Sequence, residues 1–393
     1  MKHILALIPL LLILSVVSSS GQTFEELEFG TDDTFEVVTW NIEWFPKQGQ
    51  TTVDYVSQII EALDVDLIAM QELDDTDMFD QMMDSLGEYT GYYESGWFAG
   101  LAYIYKPDTI VINDIYEIYT TSEYWNAFPR SPMVMDLSYE GENIFVINNH
   151  YKCCGDGILD HGNDGDEEYR RYMANEYLKL YIDENLPDSK VILLGDLNDM
   201  LTDDASNNVF QMILDDTENY LFADLEIEQG GSSDWSYPTW PSHLDHILIT
   251  NELFDVLDND GSAVATLKLE EHFPGGWWDY DENVSDHRPV ALRLDFTTPS
   301  AVDMSIPERL ILTSFPNPFN PRTVISYELF DEGFANLTIF NSRGQVIDVL
   351  VNTSMTDGEH RVEWDASDRP SGLYFARLTA NGSMRTHKMM LLK

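Results

Sequence analysis

The chain has 393 residues and a formal net charge of -49 at pH 7, enough length for one large domain and one small one. A surface this acidic excludes a broadly basic grip on polyanions, so contact with nucleic acid would need local positive charge, bound divalent cations or a salty medium. Its only two cysteines, Cys153 and Cys154, are adjacent, which excludes a disulfide framework and leaves a vicinal bond, free thiols or a pairing between chains open.

Lys2 and His3 precede an apolar run from Ile4 to Val17 and the small residues Ser18, Ser19, Ser20 and Gly21. The run is too short to span a bilayer, so residues 1–21 read as a signal peptide, and no later stretch is apolar enough to span. Strand-like runs follow at Phe35 to Ile42, Val65 to Met70, Gly100 to Tyr105, Met133 to Leu137, Ile144 to Asn148, Val191 to Leu194, Leu244 to Ile249 and Val290 to Phe296. Helical spacing marks Val53 to Leu63, Glu168 to Glu184 and Ala205 to Leu214. Strands that often follow one another directly, mixed with a few helices, predict a sandwich of sheets with outer helices. Between them, Asp156 to Glu168 is rich in Asp, Gly and Asn; it is either a solvated loop or a structural calcium site, and it does not fit the EF-hand template.

Residues 35–297 hold 11 Lys+Arg against 54 Asp+Glu, while residues 298–393 hold 9 against 11. That step in charge, followed by Pro316, Pro318 and Pro321, predicts a boundary near residue 298. Beyond it, short strand-like runs from Thr323 to Leu392, separated by turn signals, predict a small all-β sandwich.

Polar residues repeatedly stand at strand ends: Asn41 and Glu43, Gln71 and Glu72, His150 and Lys152, Asp196 and Asn198, Asp245 and His246, Asp286 and His287. Side chains there project from rigid sheets into one cleft. Carboxylates with an Asn suit a hard cation such as magnesium or manganese, and two histidines can serve as general acid and base near neutral pH. A buried Asp can fix one imidazole's orientation. Nothing resembles a nucleophile elbow, a phosphate-cradling glycine loop or a zinc motif. Trp235, Tyr237, Trp240, Trp277 and Trp278 flank the last two pairs, as stacking platforms or as ordinary loop packing.

The ordered set TWNIEWF (39–45), QEL (71–73), NNHYK (148–152), GDLND (195–199), LDHILI (244–249) and SDHRP (285–289) resembles the endonuclease/exonuclease/phosphatase family over about residues 35–297. The resemblance implies an α+β fold, a four-layer α/β/β/α sandwich, and metal-dependent hydrolysis of phosphoric esters with Mg2+ or Mn2+. It implies metal binding by Glu72, Glu43, Asn198 and Asp286, and catalytic roles for His150, Asp196, Asp245, His287, Asn41 and Arg130. Of these Arg130 has the weakest local motif and, without the resemblance, reads as a turn residue; His246 reads as a packed neighbour. His150 matches the deoxyribonuclease and sphingomyelinase branches, where the exonuclease III branch usually has Tyr. Residues 314–393, with FPNPFNP (315–321), VEWDA (362–366), SGLYFARL (371–378) and KMMLLK (388–393), resemble the sorting domains of the type 9 secretion pathway, which implies an immunoglobulin-like sandwich, the secretion machinery as a partner, and a secreted or outer-surface location. The expected function is thus a secreted nuclease. A sphingomyelinase-like phosphodiesterase or a phosphatase of the same fold is the alternative, and a non-catalytic surface adhesin is a third reading.

Overall fold

The computed structural model of the chain describes residue 24 and residues 27–94, 99–297, 311–329, 333–341, 346–380 and 383–393; the signal peptide expected at residues 1–21 lies outside them. The chain divides into two compact units, residues 1–297 and 298–393. In the first the order is β1 (Phe35–Phe45), α1 (Gln50–Leu63), β2 (Leu67–Leu73), α2 (Thr76–Ser85), β3 (Thr90–Tyr93), β4 (Gly100–Tyr105), β5 (Ile110–Glu117), β6 (Met133–Tyr139), β7 (Glu142–His150), α3 (Glu167–Asn185), β8 (Lys190–Asp196), α4 (Gln211–Leu214), β9 (Tyr220–Phe222), α5 (Leu225–Gln229), β10 (Asp245–Thr250), α6 (Phe254–Leu257), β11 (Ala263–Thr266), α7 (Trp277–Asn283) and β12 (Val290–Leu294).

Two six-stranded sheets form, in the orders β11-β12-β1-β2-β4-β3 and β5-β6-β7-β8-β10-β9. Successive side chains of a strand face opposite ways, and the central strands are apolar on both faces, the signature of strands covered on both sides. Phe35 and Val37 of β1, with Leu67 and Ala69 of β2, meet Ile192 and Leu194 of β8 and Ile247 and Ile249 of β10 in a core between the sheets. Val38, Trp40, Ile68 and Met70 face the other way, onto Val56, Ile60 and Leu63 of α1 and Phe79 and Met82 of α2. On the far side Val191, Leu193 and Leu248 pack on Ala174, Leu178 and Ile182 of α3. Three cores make four layers, α/β/β/α, as expected from the resemblance.

Buried polar groups fix one sheet against the other. Asn148 on β7 donates to the carbonyls of Met70 and Ala102 at 3.0 and 3.1 Å and accepts from Gln71 Nε2 at 2.8 Å. Tyr103 OH on β4 donates toward the carbonyls of Met133 and Val146. A helix expected over Ala205 to Leu214 is cut to Gln211–Leu214, because Asn208 turns its amide onto Leu201 O at 2.8 Å and accepts from Phe210 N at 2.8 Å. Those bonds offer the backbone a turn in place of a helix.

Glu36 is fully buried at the start of β1. It accepts from the Thr34 hydroxyl, while its Oε2 has no partner; its backbone N–H donates to Asp66 Oδ2 at 3.1 Å. Burial, opposed by the Thr34 bond and reinforced by Asp66, pushes its pKa up to about 8 from 4.5. The folded chain therefore keeps a proton that the unfolded chain gives up above pH 4.5, and stability falls as pH rises from there to about 8. Glu36→Gln, which carries an amide in place of that proton, is expected to stabilise the fold by on the order of 2–4 kcal/mol at pH 8–9 and by nothing measurable below pH 4. Urea unfolding of both proteins across that range measures it, and equal stability at pH 9 refutes it.

Among its described residues the second unit forms strands and turns without a helix. Strands β13 (Ile311–Phe315), β14 (Arg322–Leu329), β15 (Gly333–Asn341), β16 (Val346–Met355), β17 (Gly358–Asp365), β18 (Gly372–Ala380) and β19 (Ser383–Leu391) form antiparallel sheets in the orders β13-β14-β17 and β16-β15-β18-β19. Alternate residues of both sheets, among them Ile325, Leu337, Ile339, Trp364, Ala376 and Met389, share one core, the arrangement of a β-sandwich. No helix among the described residues is long and apolar enough to cross a membrane.

Candidate active site

Strand direction gathers the six motifs. β1 pairs parallel with β2, and β7 pairs parallel with β8, so Asn41, Glu72, His150 and Asp196 lie where these strands end. β10 runs antiparallel to β8, with Asp245 opposite Asp196, and β12 runs antiparallel to β1. Both begin at the same rim, which adds Asp245, Asp286 and His287. Glu43, Glu72, His150, Asp196, Asn198, Asp286 and His287 line one cleft. Asn41 and Asp245 lie buried beneath it, and Arg130 lines an adjoining pocket with Glu72 and His150. All ten expected residues are brought together.

Asp196 stands between the histidines. Its Oδ2 is 3.5 Å from His150 Nε2 and 3.8 Å from His287 Nε2, and it accepts from Asn41 Nδ2 at 2.9 Å. His287 Nδ1 is 2.7 Å from Asp245 Oδ2, and the Tyr237 ring lies 4.9 Å from the imidazole. Burial works to lower the pKa of His287, but Asp245 and Asp196 outweigh it and push it up to about 10. The His287 ring is therefore cationic at neutral pH. Burial, helped by the Arg130 and His287 charges, holds His150 well below the ordinary range and hence neutral. Burial also raises Asp196 to about 7, against the pull of His287 and the Asn41 bond. One cleft thus holds a neutral imidazole, a cationic one and a carboxylate poised between them, the pattern expected where acid and base chemistry meet.

The donors suited to a cation are oxygens. Glu72 accepts from Asn41 Nδ2 at 3.2 Å and from Trp44 N at 3.1 Å. Glu43 accepts from Asp286 N at 2.9 Å and pairs with Lys47, and burial, with Asp286 nearby, raises its pKa to about 7 against Lys47. Glu43, Glu72 and Asp286 do not bring three donor atoms within 4.8 Å of one another. Their hard oxygens, and a carboxylate raised by crowding, fit a hard divalent cation. The backbone here is strained: Glu43, Trp44, Glu72 and Asn198 have φ of 43, 52, 68 and 55°, a conformation that non-glycine residues hold only when their surroundings impose it.

Several participants were not foreseen in the sequence. Lys47 bridges Glu43 and Asp281, half-exposed Trp44 lines the cleft, and Arg170 joins Arg130 and Lys152 around the adjoining pocket. In a unit with few cations, three of them line one pocket beside Glu72 and His150. Cys153 and Cys154 are free thiols at the cleft, with sulfurs 2.9 Å apart.

His246, read as a packed neighbour, is fully buried in a separate cluster with Asp224 and His243. Its nitrogens reach Asp224 Oδ2 at 2.6 Å and the Asp199 carbonyl at 2.9 Å. Both are acceptors, so both nitrogens carry protons. Burial opposes this, but Asp224 pushes the His246 pKa up to about 9. His243 Nδ1 accepts from Ser236 N at 3.1 Å, so its proton sits on Nε2, facing Asp224. With those lone pairs and protons committed, the cluster is a hydrogen-bonded brace under residues 196–199 and leaves no nitrogen for a metal.

The model of the Endonuclease/Exonuclease/phosphatase family matches residues 38–300, and that of the Secretion system C-terminal sorting domain matches residues 313–392. Similar solved structures include humanized D. rerio TDP2 (13% identity, 66% of this chain and 98% of that one, TM-score 0.49). They also include the human Nocturnin catalytic domain (17%, 67% and 94%, 0.48) and an endonuclease/exonuclease/phosphatase from Bacteroides vulgatus (17%, 66% and 98%, 0.45). No curated protein matches the chain. The sorting tail implies export, to the cell surface or beyond. With a family match across most of its length and the expected residues gathered in one cleft, this chain belongs to the endonuclease/exonuclease/phosphatase family and is a metal-dependent phosphoric ester hydrolase.

Proposed function

We propose that the protein is a secreted phosphodiesterase that acts outside the cell as a nuclease, with Mg2+ or Mn2+ as its cation, residues 35–297 as its catalytic domain and residues 314–393 as its sorting domain. The observation that carries this reading is Asp196 between a neutral His150 and a cationic His287. A diester needs both a base for the incoming water and an acid for the alkoxide that leaves. Neutral His150 takes the proton of a water that Asp196 and Asn198 orient. As that oxygen attacks phosphorus, the bond to the leaving oxygen breaks, and His287 donates its Nε2 proton to it. Asp245, on Nδ1, keeps the His287 ring aimed and charged. Arg130 holds a non-bridging oxygen. When bound beside Glu72, Asn41, Glu43 and Asp286, with Asn198 at the same rim, a divalent cation supplies positive charge against the phosphoryl oxygens.

Arg130, Lys152 and Arg170 supply the local positive charge that an acidic chain needs to bind a nucleic-acid backbone. A second reading, a phospholipid diester, is favoured by Trp240 and Trp278, which stand 76% and 77% exposed: tryptophans so placed suit a membrane interface. A panel of plasmid DNA, RNA and sphingomyelin vesicles, each with magnesium and with excess chelator, separates the two. Plasmid nicking in magnesium and none in chelator is expected. Turnover of sphingomyelin alone selects the second reading, and full activity in chelator removes both.

A further inference from the structure

We propose that Asp156, Asp166 and Glu168 hold a calcium ion, separate from the catalytic cation, that fixes the segment following His150. One carboxylate oxygen from each residue lies within 4.8 Å of the other two. Backbone donors occupy one oxygen of each: Ile158 N on Asp156 Oδ1 at 3.1 Å, Tyr169 N on Asp166 Oδ1 at 2.8 Å, and Gly157 N on Glu168 Oε1 at 2.6 Å. These bonds orient the three heads and leave their second oxygens to another partner.

Glu168 is the independent sign that a cation belongs there. It is only 2% exposed, yet its Oε2 is buried with no hydrogen-bond partner, a costly state for a carboxylate oxygen. The nearest cation, Arg171, lies 3.5 Å from the other oxygen. Arg171 also serves Asp199 Oδ2 at 2.8 Å, Lys152 O at 2.8 Å and Cys154 O at 2.7 Å. One shared guanidinium does not balance three carboxylates. The loop is shaped to the Glu168 head: at Gly155, with φ 118°, a Cβ would lie 2.2 Å from Glu168 Oε1, so only glycine lets the backbone close over it.

The chemistry selects calcium. Every donor is an oxygen, which disfavours zinc. Asp156 is exposed and Asp166 half-buried, so water and carbonyl oxygens can complete a large, irregular coordination shell, which magnesium accepts poorly. Through Arg171, which grips Lys152 and Cys154 on one side and Asp199 on the other, the filled site would stiffen one wall of the cleft.

The test is calcium titration of the whole protein by calorimetry, with magnesium saturating throughout, and hydrogen exchange of the amides of residues 155–166. One further ion per chain is expected, with a dissociation constant on the order of 10⁻⁴–10⁻³ M, together with slowed exchange in that segment. Asp156→Asn and Glu168→Gln should each weaken calcium binding roughly tenfold or more. Asp156→Asn alters an exposed side chain and so serves even if Glu168→Gln fails to fold. No calcium heat above magnesium, equal protection by magnesium alone, or unchanged binding in Asp156→Asn each overturns the proposal. None of these readouts depends on the substrate.

Discussion

Glu72→Gln is expected to lower kcat/KM for the diester by roughly three orders of magnitude while leaving the fold intact. The side chain keeps its size and one of its two acceptor positions toward Asn41 Nδ2 and Trp44 N, but it loses the charge that draws a cation to the cleft. Transition-state charge stabilisation by a metal is worth several kcal/mol, and about 4 kcal/mol corresponds to a factor near 10³. Magnesium should bind more weakly, excess magnesium should restore part of the rate, and the near-ultraviolet circular dichroism should match wild type. Kinetics against magnesium concentration for both proteins measure this. A variant with wild-type kcat at ordinary magnesium would remove Glu72 from the mechanism.

His287→Ala and His150→Ala are each expected to cost roughly 10²–10⁴ in kcat, as general acid and base residues do. The double variant should be little worse than the poorer single one, since the two side chains serve one step and their losses do not add. His287→Ala also leaves Asp245 buried without its 2.7 Å partner, so it should lose stability as well as rate. His150 Nδ1 has no hydrogen-bond partner, so His150→Ala should cost rate with little stability. Rates and urea midpoints for the four proteins separate the roles. Near-normal turnover in His150→Ala would make that residue a phosphate contact and leave Asp196, raised to about 7, as the base.

Much of this is legible in the sequence. The central strands declare themselves because apolar residues fill both faces, and the polar residues that end them stand out against that background. What stayed hidden depends on contacts distant in sequence or on weak local pattern. Helix α2 carries three aspartates and three methionines in no clean stripe, although Asp75 caps it by accepting from Met78 N at 3.0 Å. β5 lies at the end of its sheet and is largely exposed, so it lacks the apolar alternation that marks a half-buried strand. Nothing in the local sequence around Lys47 announces its reach to Asp281, 234 positions away. Between Ala205 and Leu214 the side chain of Asn208, bonded to Leu201 O and Phe210 N, overrides a helical spacing that is present in the sequence.

Chain order through the two sheets also bears on how the enzyme is made. Asn41 and Ser285 touch across 244 positions, and His287 is the last of the proposed catalytic groups in chain order. A ribosome must translate almost the entire first unit before the cleft can close, and a prematurely terminated product lacks the residue that the proposed mechanism makes the proton donor. Hydrolytic activity is therefore expected only once nearly the whole first unit has been made, and fragments ending before residue 287 are expected to be inert.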